Sequence, residues 1–229
     1  MDVMTAFVLK IIASVTMLVD HTGAIFDTPA YFRMIGRIAF PIYAYMIAQG
    51  CLYTKDINKY FLRLFIFALI SQIPFSYAFF HGYQQYTNIF FTLALGVGCV
   101  VIYEKVKSKT NRWIAFIPAL PLLPFADFIK TDYGMAGVSL IFFLYLAGPE
   151  NRAARAVVLT AGMLWIYVLD GFLEYHVIGL SSWTFFAFSM VSVVLVLLYN
   201  GKQGPKVRWF FYVFYPAHIT ALGLIRYFM

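Results

Sequence analysis

The sequence predicts an all-α fold, a polytopic integral membrane helix bundle of about nine transmembrane helices with a cytoplasmic N-terminus. Composition is the first observation, because 62% of the 229 residues are hydrophobic and only 12% are charged, roughly half the charged share of an average soluble domain. Length is the second, since spans of about 20 apolar residues fill nearly the whole chain. This excludes a separate soluble catalytic domain, and we expect one transmembrane domain over residues 1–229.

Charge clusters and turn residues divide the chain into nine apolar segments. The predicted spans cover residues 6–26, 31–53, 60–80, 89–104, 112–129, 134–148, 154–173, 182–200 and 209–228. The first is predicted to be a retained helix, because no cleavage region of small residues follows a short apolar core. Span five contains Pro118, Pro121 and Pro124, which remove three backbone donors, so this helix should be kinked or broken.

Basic residues predict the orientation of these spans. Twelve of them lie at alternate connections: Lys55, Lys59, Arg63, Lys105, Lys107, Lys109, Arg112, Arg152, Arg155, Lys202, Lys206 and Arg208. Short loops rich in Lys and Arg stay in the cytoplasm, so the N-terminus is predicted inside and the C-terminus outside. The net charge of +7 is scattered between apolar runs instead of forming one face, which argues against a nucleic-acid partner.

Four ionisable residues fall inside predicted spans: Lys10, Asp20, His21 and Arg37. Each costs about 2.5–3.5 kcal/mol to place at the bilayer centre, so such residues are the functional candidates. Asp20 and Arg37 each lie six residues from the predicted outer boundary, about 9 Å deep at the helical rise. The matching depth predicts an ion pair, whose structural and catalytic roles are both open.

A polar stripe runs along the first helix through Lys10, Ser14, Met17 and His21, at spacings of four, three and four. This face must line protein or a water-filled cavity, because lipid would require apolar side chains there. Imidazole suits general base chemistry near neutral pH, while a hydrogen bond to a neighbouring helix is the structural alternative for His21. Asp20 is not expected to orient His21, since adjacent helical residues diverge.

The remaining candidates are weaker. They are His218, His81, His176, Asp170 and Glu174. His218 follows Pro216 by two residues and is explained by the carbonyl that the proline frees. His81 and His176 fall at helix ends or in outer loops, where a solvated role is expected, and the two carboxylates could form a patch facing substrate. The sequence contains no HExxH or Cys/His metal cluster, no Walker A loop and no GxSxG elbow, so no metal is expected.

Several stretches together resemble the TraX family, whose namesake acetylates the pilin of conjugative pili. They are LKIIASVTMLVDHTGAIF, RMIGRIAFPIYAYMIAQG, KYFLRLFIFALISQIPF, NIFFTLALG, DYGMAGVSLI and WFFYVFYPAH, and they cover most of the chain. More distantly, Phe40 and Pro41 with Gly50 beyond them are similar to a motif of integral membrane acyltransferases, such as heparan-alpha-glucosaminide N-acetyltransferase.

The resemblance implies an enzyme of the bacterial cytoplasmic (inner) membrane that transfers an acetyl group from cytoplasmic acetyl-CoA to an acceptor at the outer face. His21 is the nearest match to the catalytic histidine of the related acyltransferases. We expect Arg37, or a helix-end donor, to stabilise the oxyanion, and Asp20 to belong to the same site. The pantetheine arm would follow the stripe of Lys10 and Ser14. The acceptor stays open between a protein N-terminus, a saccharide and a lipid.

A different class of function is the main rival. In a small transporter or channel, Asp20, His21, Arg37 and Lys10 would form a polar relay. The inverted repeat with paired interrupted helices that is typical of many transporters is not found in the sequence. Stabilisation by acetyl-CoA would separate the two hypotheses, because a transporter has no reason to bind it.

Overall fold

The computed structural model describes residues 4–83, 85–170, 172 and 179–229, and it is helical throughout most of this part of the chain. The first helices are α1 (Ala6–Ile25), α2 (Tyr31–Gly36), α3 (Ala39–Tyr53), α4 (Ile57–Phe80) and α5 (Ile89–Lys107). The later helices are α6 (Arg112–Phe116), α7 (Leu122–Phe128), α8 (Gly134–Ala147), α9 (Arg152–Leu164), α10 (Leu180–Leu197) and α11 (Arg208–Phe228). A π-helical turn, Trp165–Leu169, continues α9.

Within the described residues, five helical segments are long and apolar enough to cross a membrane. They are Ala6–Ile25, Ile57–Phe80, Ile89–Lys107, Arg152–Leu169 and Leu180–Leu197. The chain is therefore a multi-pass membrane protein. Every predicted span contains a helix, but several helices are too short or too polar to count among these five, so the number nine and the orientation stay predictions.

Side chains that accept from free backbone N–H groups mark where several helices begin. Thr5 caps α1, Asp56 caps α4 and Asn88 caps α5, each through its side-chain oxygen. Asn111 and Asn151 cap α6 and α9 in the same way. Such caps supply acceptors that the first turn of a helix lacks, which explains why these helices begin after polar residues in the connections.

The second predicted span, 31–53, is not one helix, and this corrects the sequence prediction. It is divided into α2 and α3 by a turn at Arg37 and Ile38. Pro41 explains the position, because a proline ring clashes with the carbonyl group four residues earlier, here that of Arg37, and provides no N–H to bond it. Arg37 consequently lies at a break between two helices and not within a continuous one.

The fifth predicted span is broken, as the three prolines indicated. It consists of α6, a 3₁₀ turn at Ile117–Ala119 and α7. Pro118 lies in the 3₁₀ turn, and Pro121 precedes α7. Proline is tolerated at these positions because the first residues of a helix need no intrahelical N–H donor.

Contacts between distant residues define two ends of the bundle. Met4 pairs with Tyr199, the ring of Tyr199 packs edge-on against Tyr45, and Arg155 donates a hydrogen bond to the Tyr45 hydroxyl. We call this the basic end, because the lysine- and arginine-rich connections after α3 and α10 and before α9 join it. The opposite end holds the last turn of α1 and is called the Asp20 end.

Candidate active site

Asp20 is the centre of an ion-pair cluster at the Asp20 end. Its Oδ1 accepts from Arg37 Nη2 at 2.7 Å, and its Oδ2 accepts from Arg33 Nη1 at 2.8 Å. The predicted pairing of Asp20 with Arg37 is confirmed. Arg33 was not a candidate in the sequence analysis, and its share in the cluster is a new observation. Because both carboxylate oxygens accept from arginine, the charge of Asp20 is compensated within the protein.

Gly36 allows α2 to approach α1 closely enough for this cluster to form. A Cβ atom at position 36 would lie 2.2 Å from Asp20 Oδ1 and 2.2 Å from its Cβ. These distances are far below van der Waals contact, so any side chain at position 36 must displace the Asp20 carboxylate. The glycine is therefore required by the packing of the two helices.

Arg37 is enclosed on several sides. Its Nε donates to the carbonyl oxygen of Arg33 at 2.9 Å, and its guanidinium lies 5.1 Å from the ring centroid of Phe185 and 5.9 Å from that of Tyr167. Tyr167 belongs to the π-helical turn after α9, a kind of distortion that is frequent at functional sites. These contacts orient the guanidinium, and a role in stabilising an oxyanion stays a prediction.

His21 bonds to His218 and not to Asp20. The Nδ1 of His21 lies 2.7 Å from the Nε2 of His218, and the two ring planes differ by only 10° with centroids 4.9 Å apart. This centroid distance is what two imidazoles joined edge to edge would have, so the rings are nearly coplanar and do not stack face to face. The first and last helices of the chain thus meet through two histidines.

A backbone carbonyl fixes the protonation pattern of this pair. The Nδ1 of His218 lies 2.6 Å from the carbonyl oxygen of Phe214, and a carbonyl only accepts, so Nδ1 of His218 carries the proton. In neutral His218 the Nε2 is then an acceptor, and His21 must donate to it from Nδ1. Neutral His21 is left with an unprotonated Nε2, which is the form that a general base needs.

His21 faces a cavity of about 180 Å³ that also contains the arginine cluster. We call it the charged cavity, because Asp20, Arg33, Arg37 and Asp132 all line it. Asp132 was placed in an outer connection by the sequence analysis and was not a candidate. It lies two residues before α8, within the stretch DYGMAGVSLI that carries part of the family resemblance, and that motif was the signal available for it.

The Asp132 carboxyl has an unusual pKa. Asp132 lines the charged cavity, although the residue as a whole is exposed. Burial raises the pKa of Asp132 to about 6, while the nearby Arg37 opposes this rise. Asp132 therefore changes its charge close to neutral pH, at the wall of the cavity that holds His21.

A second cavity, of about 280 Å³, extends toward the basic end. We call it the aromatic cavity, because its walls include Phe7, Tyr53, Tyr60, Phe90, Phe211 and Tyr212. Lys10 lines it, with Nζ 5.4 Å from the centroid of the Phe211 ring. Arg63 lines it as well, and the buried Nε of Arg63 has no hydrogen-bond partner in the described part of the chain.

The polar stripe of α1 lies beside both cavities, as its pattern predicted. Lys10, Met17 and His21 line them directly. Ser14 is buried behind Tyr43, and the two hydroxyl groups are 2.7 Å apart. Ser14 thus contacts Tyr43, which lines both cavities, and does not line either cavity itself. Its predicted contact with a cofactor stays a prediction.

Among the residues that the structure describes, four line both cavities. They are Met17 of α1, Tyr43 of α3, Ile89 of α5 and Tyr215 of α11. We call this set the neck. The neck lies between the aromatic cavity near the basic end and the charged cavity that contains His21.

The weaker candidates separate into described and undescribed residues. His81 ends α4 in the left-handed conformation and is exposed, in agreement with a solvated role. His218 does bond a backbone carbonyl near Pro216, but that bond leaves its Nε2 for His21, so the purely structural interpretation of His218 is incomplete. Asp170 directly follows the π-helical turn, whereas His176 and Glu174 lie outside the described residues.

Comparison with known proteins gives a family match over almost the entire chain. The pattern of the family described as TraX protein matches residues 6–226. The probable fimbrial assembly protein FimC, serogroup H1, of Dichelobacter nodosus is 28% identical over 98% of this chain and 97% of its own length. Protein TraX of Escherichia coli is 26% identical over 95% of this chain and 86% of its own length. No solved structure matches.

Proposed function

Because the chain belongs to the TraX family, we propose that it is an acyltransferase of the bacterial cytoplasmic membrane. It moves an acetyl group from cytoplasmic acetyl-CoA to an acceptor amine or hydroxyl at the outer face. The observation that carries this proposal is the hydrogen-bonded chain from Phe214 through His218 to His21. It supports a general base, the Nε2 of His21, beside a cavity that shares the neck residues with the aromatic cavity.

The aromatic cavity suits the acyl-CoA arm. Lys10 and Arg63 supply positive charge there, and the unpartnered Nε of Arg63 is a buried donor with no acceptor among the described residues, which a phosphate oxygen would satisfy. Eleven residues separate Lys10 from His21, about 16 Å at the helical rise, and an extended pantetheine arm can bridge such a distance. The thioester would then arrive at the neck with its acyl carbon toward His21.

In the reaction, the acceptor attacks the thioester carbonyl carbon while His21 Nε2 takes the acceptor proton. The negative charge moves to the carbonyl oxygen of a tetrahedral intermediate. When this intermediate collapses, the bond between carbon and sulfur breaks, and His21 returns the proton to the CoA thiolate. The Nδ1 proton of His21 stays bonded to His218 throughout, so the imidazolium formed in the first step is stabilised by that acceptor.

The oxyanion needs a donor on the opposite side of the carbonyl. Arg37 lines the charged cavity, although its Nη2 and Nε already donate to Asp20 and to Arg33. Ala39 and Phe40 line the same cavity and form the first turn of α3, where backbone N–H groups have no partner within the helix. The break at Arg37 thus supports the α3 N-terminus as the second donor.

Transfer in oriented membranes tests the proposal. Inverted vesicles containing the protein, supplied with acetyl-labelled acetyl-CoA, should transfer label to endogenous acceptors, whereas vesicles without it should not. Acetyl-CoA should also raise the melting temperature of the purified protein. This effect should weaken at high salt, because salt screens the attraction between the CoA phosphates and the basic side chains. The absence of both effects would leave the transporter as the better hypothesis.

The proposal also requires the predicted orientation. Reporter fusions after Tyr53 and after Asn200 should report cytoplasm, because both positions belong to the basic end. A fusion after Tyr83, which follows α4 at the Asp20 end, should report the outside. An outside signal at position 200 would place the aromatic cavity on the wrong side for cytoplasmic acetyl-CoA.

A further inference from the structure

Building on the proposed function, we infer that the neck of Met17, Tyr43, Ile89 and Tyr215 selects the acyl group, passing an acetyl group and holding back longer chains. A thioester that enters through the aromatic cavity meets His21 only beyond these four residues, since they alone line both cavities among the described residues. The neck therefore determines how long an alkyl chain can enter the charged cavity together with the reacting carbonyl carbon.

Two of the four neck residues are fixed by contacts of their own. The Tyr43 hydroxyl is hydrogen-bonded to the buried Ser14 at 2.7 Å. The Tyr215 ring packs edge-on against His21, His218 and Phe90, with centroids 5.8, 5.7 and 5.2 Å away. Side chains held in this way do not yield easily to a larger group, because packed interiors have little free volume.

The start of α5 is fixed as well, which positions Ile89. The preceding Asn88 is fully buried, and its side-chain amide donates to the Ala68 carbonyl at 2.8 Å. Its backbone N–H and its side-chain amide both donate to Gln72 Oε1. Ala68 and Gln72 both belong to α4. Because α5 is tied to α4 at this point, Ile89 cannot move aside without breaking buried hydrogen bonds, each of which is costly to lose.

The two sides of the neck offer different environments to a long acyl chain. Beyond the neck, the lining combines aromatic side chains with the charged groups of Asp20, Arg33, Arg37 and Asp132. An alkyl chain placed against these charged groups would displace water from them at a free-energy cost. Before the neck lies the aromatic cavity, where the same chain would be stabilised by burial. A long-chain acyl-CoA should therefore bind with its alkyl chain in the aromatic cavity and its thioester away from His21.

We expect a long-chain acyl-CoA to bind the protein and yet to be turned over slowly. Octanoyl-CoA should compete with acetyl-CoA for the protein and yet be a poor donor of its acyl group. Hydroxylamine serves as a small acceptor of known structure: its nitrogen attacks the thioester carbonyl, the carbon–sulfur bond breaks, and the products are a hydroxamate and the CoA thiol, which receives the nitrogen proton. We expect the wild-type protein to favour acetyl-CoA by about 100-fold in kcat/KM, within the range by which pockets discriminate alkyl size.

Widening the neck should weaken that preference. Tyr43→Ala removes the ring, and its ratio of acetyl to octanoyl transfer should fall at least tenfold, a change on the scale of pocket discrimination. Met17→Ala should lower the ratio in the same direction from a different helix, which keeps the test valid if one variant does not fold. Tyr77→Ala is the matched control, because Tyr77 is exposed on α4 and lines neither cavity.

The outcomes separate this inference from the proposed function. Equal hydroxamate formation from both thioesters by the wild-type protein would overturn selection by the neck and leave the acyltransferase intact. Unchanged ratios in folded Tyr43→Ala and Met17→Ala would overturn it too. No hydroxamate from either thioester, together with no thermal stabilisation by acetyl-CoA, would instead refute the acyltransferase itself.

Discussion

The aromatic cavity and the charged cavity differ in whether their cations are paired with a carboxylate. Among the described residues that line the aromatic cavity none is acidic, and its cations Lys10 and Arg63 contact aromatic rings. In the charged cavity Arg33 and Arg37 both bind the Asp20 carboxylate. Charge is thus available for a ligand in the first cavity and is largely neutralised within the protein in the second.

This difference indicates that an anionic ligand binds in the aromatic cavity and that proton transfer takes place in the charged cavity. An anionic ligand gains most where a cation has no carboxylate partner, which is the aromatic cavity. In the charged cavity the ion pairs fix the positions of α1 and α2, and His21, whose Nε2 carries no proton in the neutral form, lines the same cavity. We therefore expect substitutions in the charged cavity to divide into those that abolish transfer and those that destabilise the fold.

Removal of the base should have the largest effect. His21→Ala should lower acyl transfer to hydroxylamine by about 10²–10⁴-fold, the usual scale for a general base, with little change in the stabilisation by acetyl-CoA. The matched control is His81→Ala, since His81 is exposed at the end of α4. Near-native turnover by folded His21→Ala would exclude the catalytic role and direct attention to Asp132 and Asp170.

Disruption of the ion-pair cluster should affect stability more than chemistry. Asp20→Asn leaves two arginines without a counter-ion, and removing one partner of a buried pair typically costs about 3–5 kcal/mol. Gly36→Ala should destabilise in the same way, because its Cβ displaces the Asp20 carboxylate. Gly98→Ala is a suitable control, since a Cβ there meets its nearest neighbour at 3.4 Å. Unfolding in mixed micelles measures these differences, and equal stability of all three variants would contradict the account.

Replacement of the partner of His21 should have an intermediate effect on turnover. His218→Leu removes the acceptor for His21 Nδ1, and we expect a loss of about 10–100-fold, as for other residues that orient a functional histidine. His218→Gln keeps a side-chain oxygen that can accept the same proton and should retain more activity than His218→Leu. Identical turnover of the two variants at equal folded concentration would show that the tautomer of His21 does not depend on residue 218.

The smallest predicted effect is a shift in stability with pH. The pKa of Asp132 is raised to about 6 in the folded protein, above its unfolded value of about 4. Its protonated form therefore stabilises the fold fully below about pH 4, and this contribution is lost as the pH rises through about 6. Relative to the wild-type protein, Asp132→Asn should gain melting temperature between pH 4 and pH 7.

Asp56 provides a control of opposite sign for that measurement. The backbone N–H of Lys59 lowers the pKa of Asp56, so its stabilisation is present above the unfolded pKa and is lost as the pH falls. Asp56→Asn should therefore lose melting temperature relative to the wild-type protein over the same rise in pH. If both variants shift in the same direction, the assignment for Asp132 is wrong.

The sequence predicted those parts of the site that depend on local spacing. Asp20 and Arg37 were paired by their equal distance from one connection, and the stripe through Lys10, Met17 and His21 was assigned to a cavity by helical periodicity. Both inferences use only the geometry of one or two consecutive helices. The family resemblance added the expected chemistry, which periodicity alone does not contain.

The features of the site that the sequence analysis missed depend either on how the helices pack or on a sequence signal that was present and not used. The contact of His21 with His218 joins residues 197 positions apart, and no single-sequence pattern predicts which helices become neighbours. The break at Arg37 was predictable from Pro41, because the steric rule places it four residues before the proline. Asp132 lies in a connection, where hydropathy offers no reason to expect that a carboxylate turns inward.

The two contacts that define the site also differ in when they can form during synthesis. Asp20 and Arg37 are 17 residues apart, within one helical hairpin, so their charges can neutralise each other as soon as the second helix leaves the ribosome. The contact of His21 forms only after α11 has been synthesised, because its partner His218 lies 197 residues further along the chain. We therefore expect a truncated chain that lacks α11 to insert its first hairpin normally, while the proton arrangement of His21 is completed only after α11 has been synthesised.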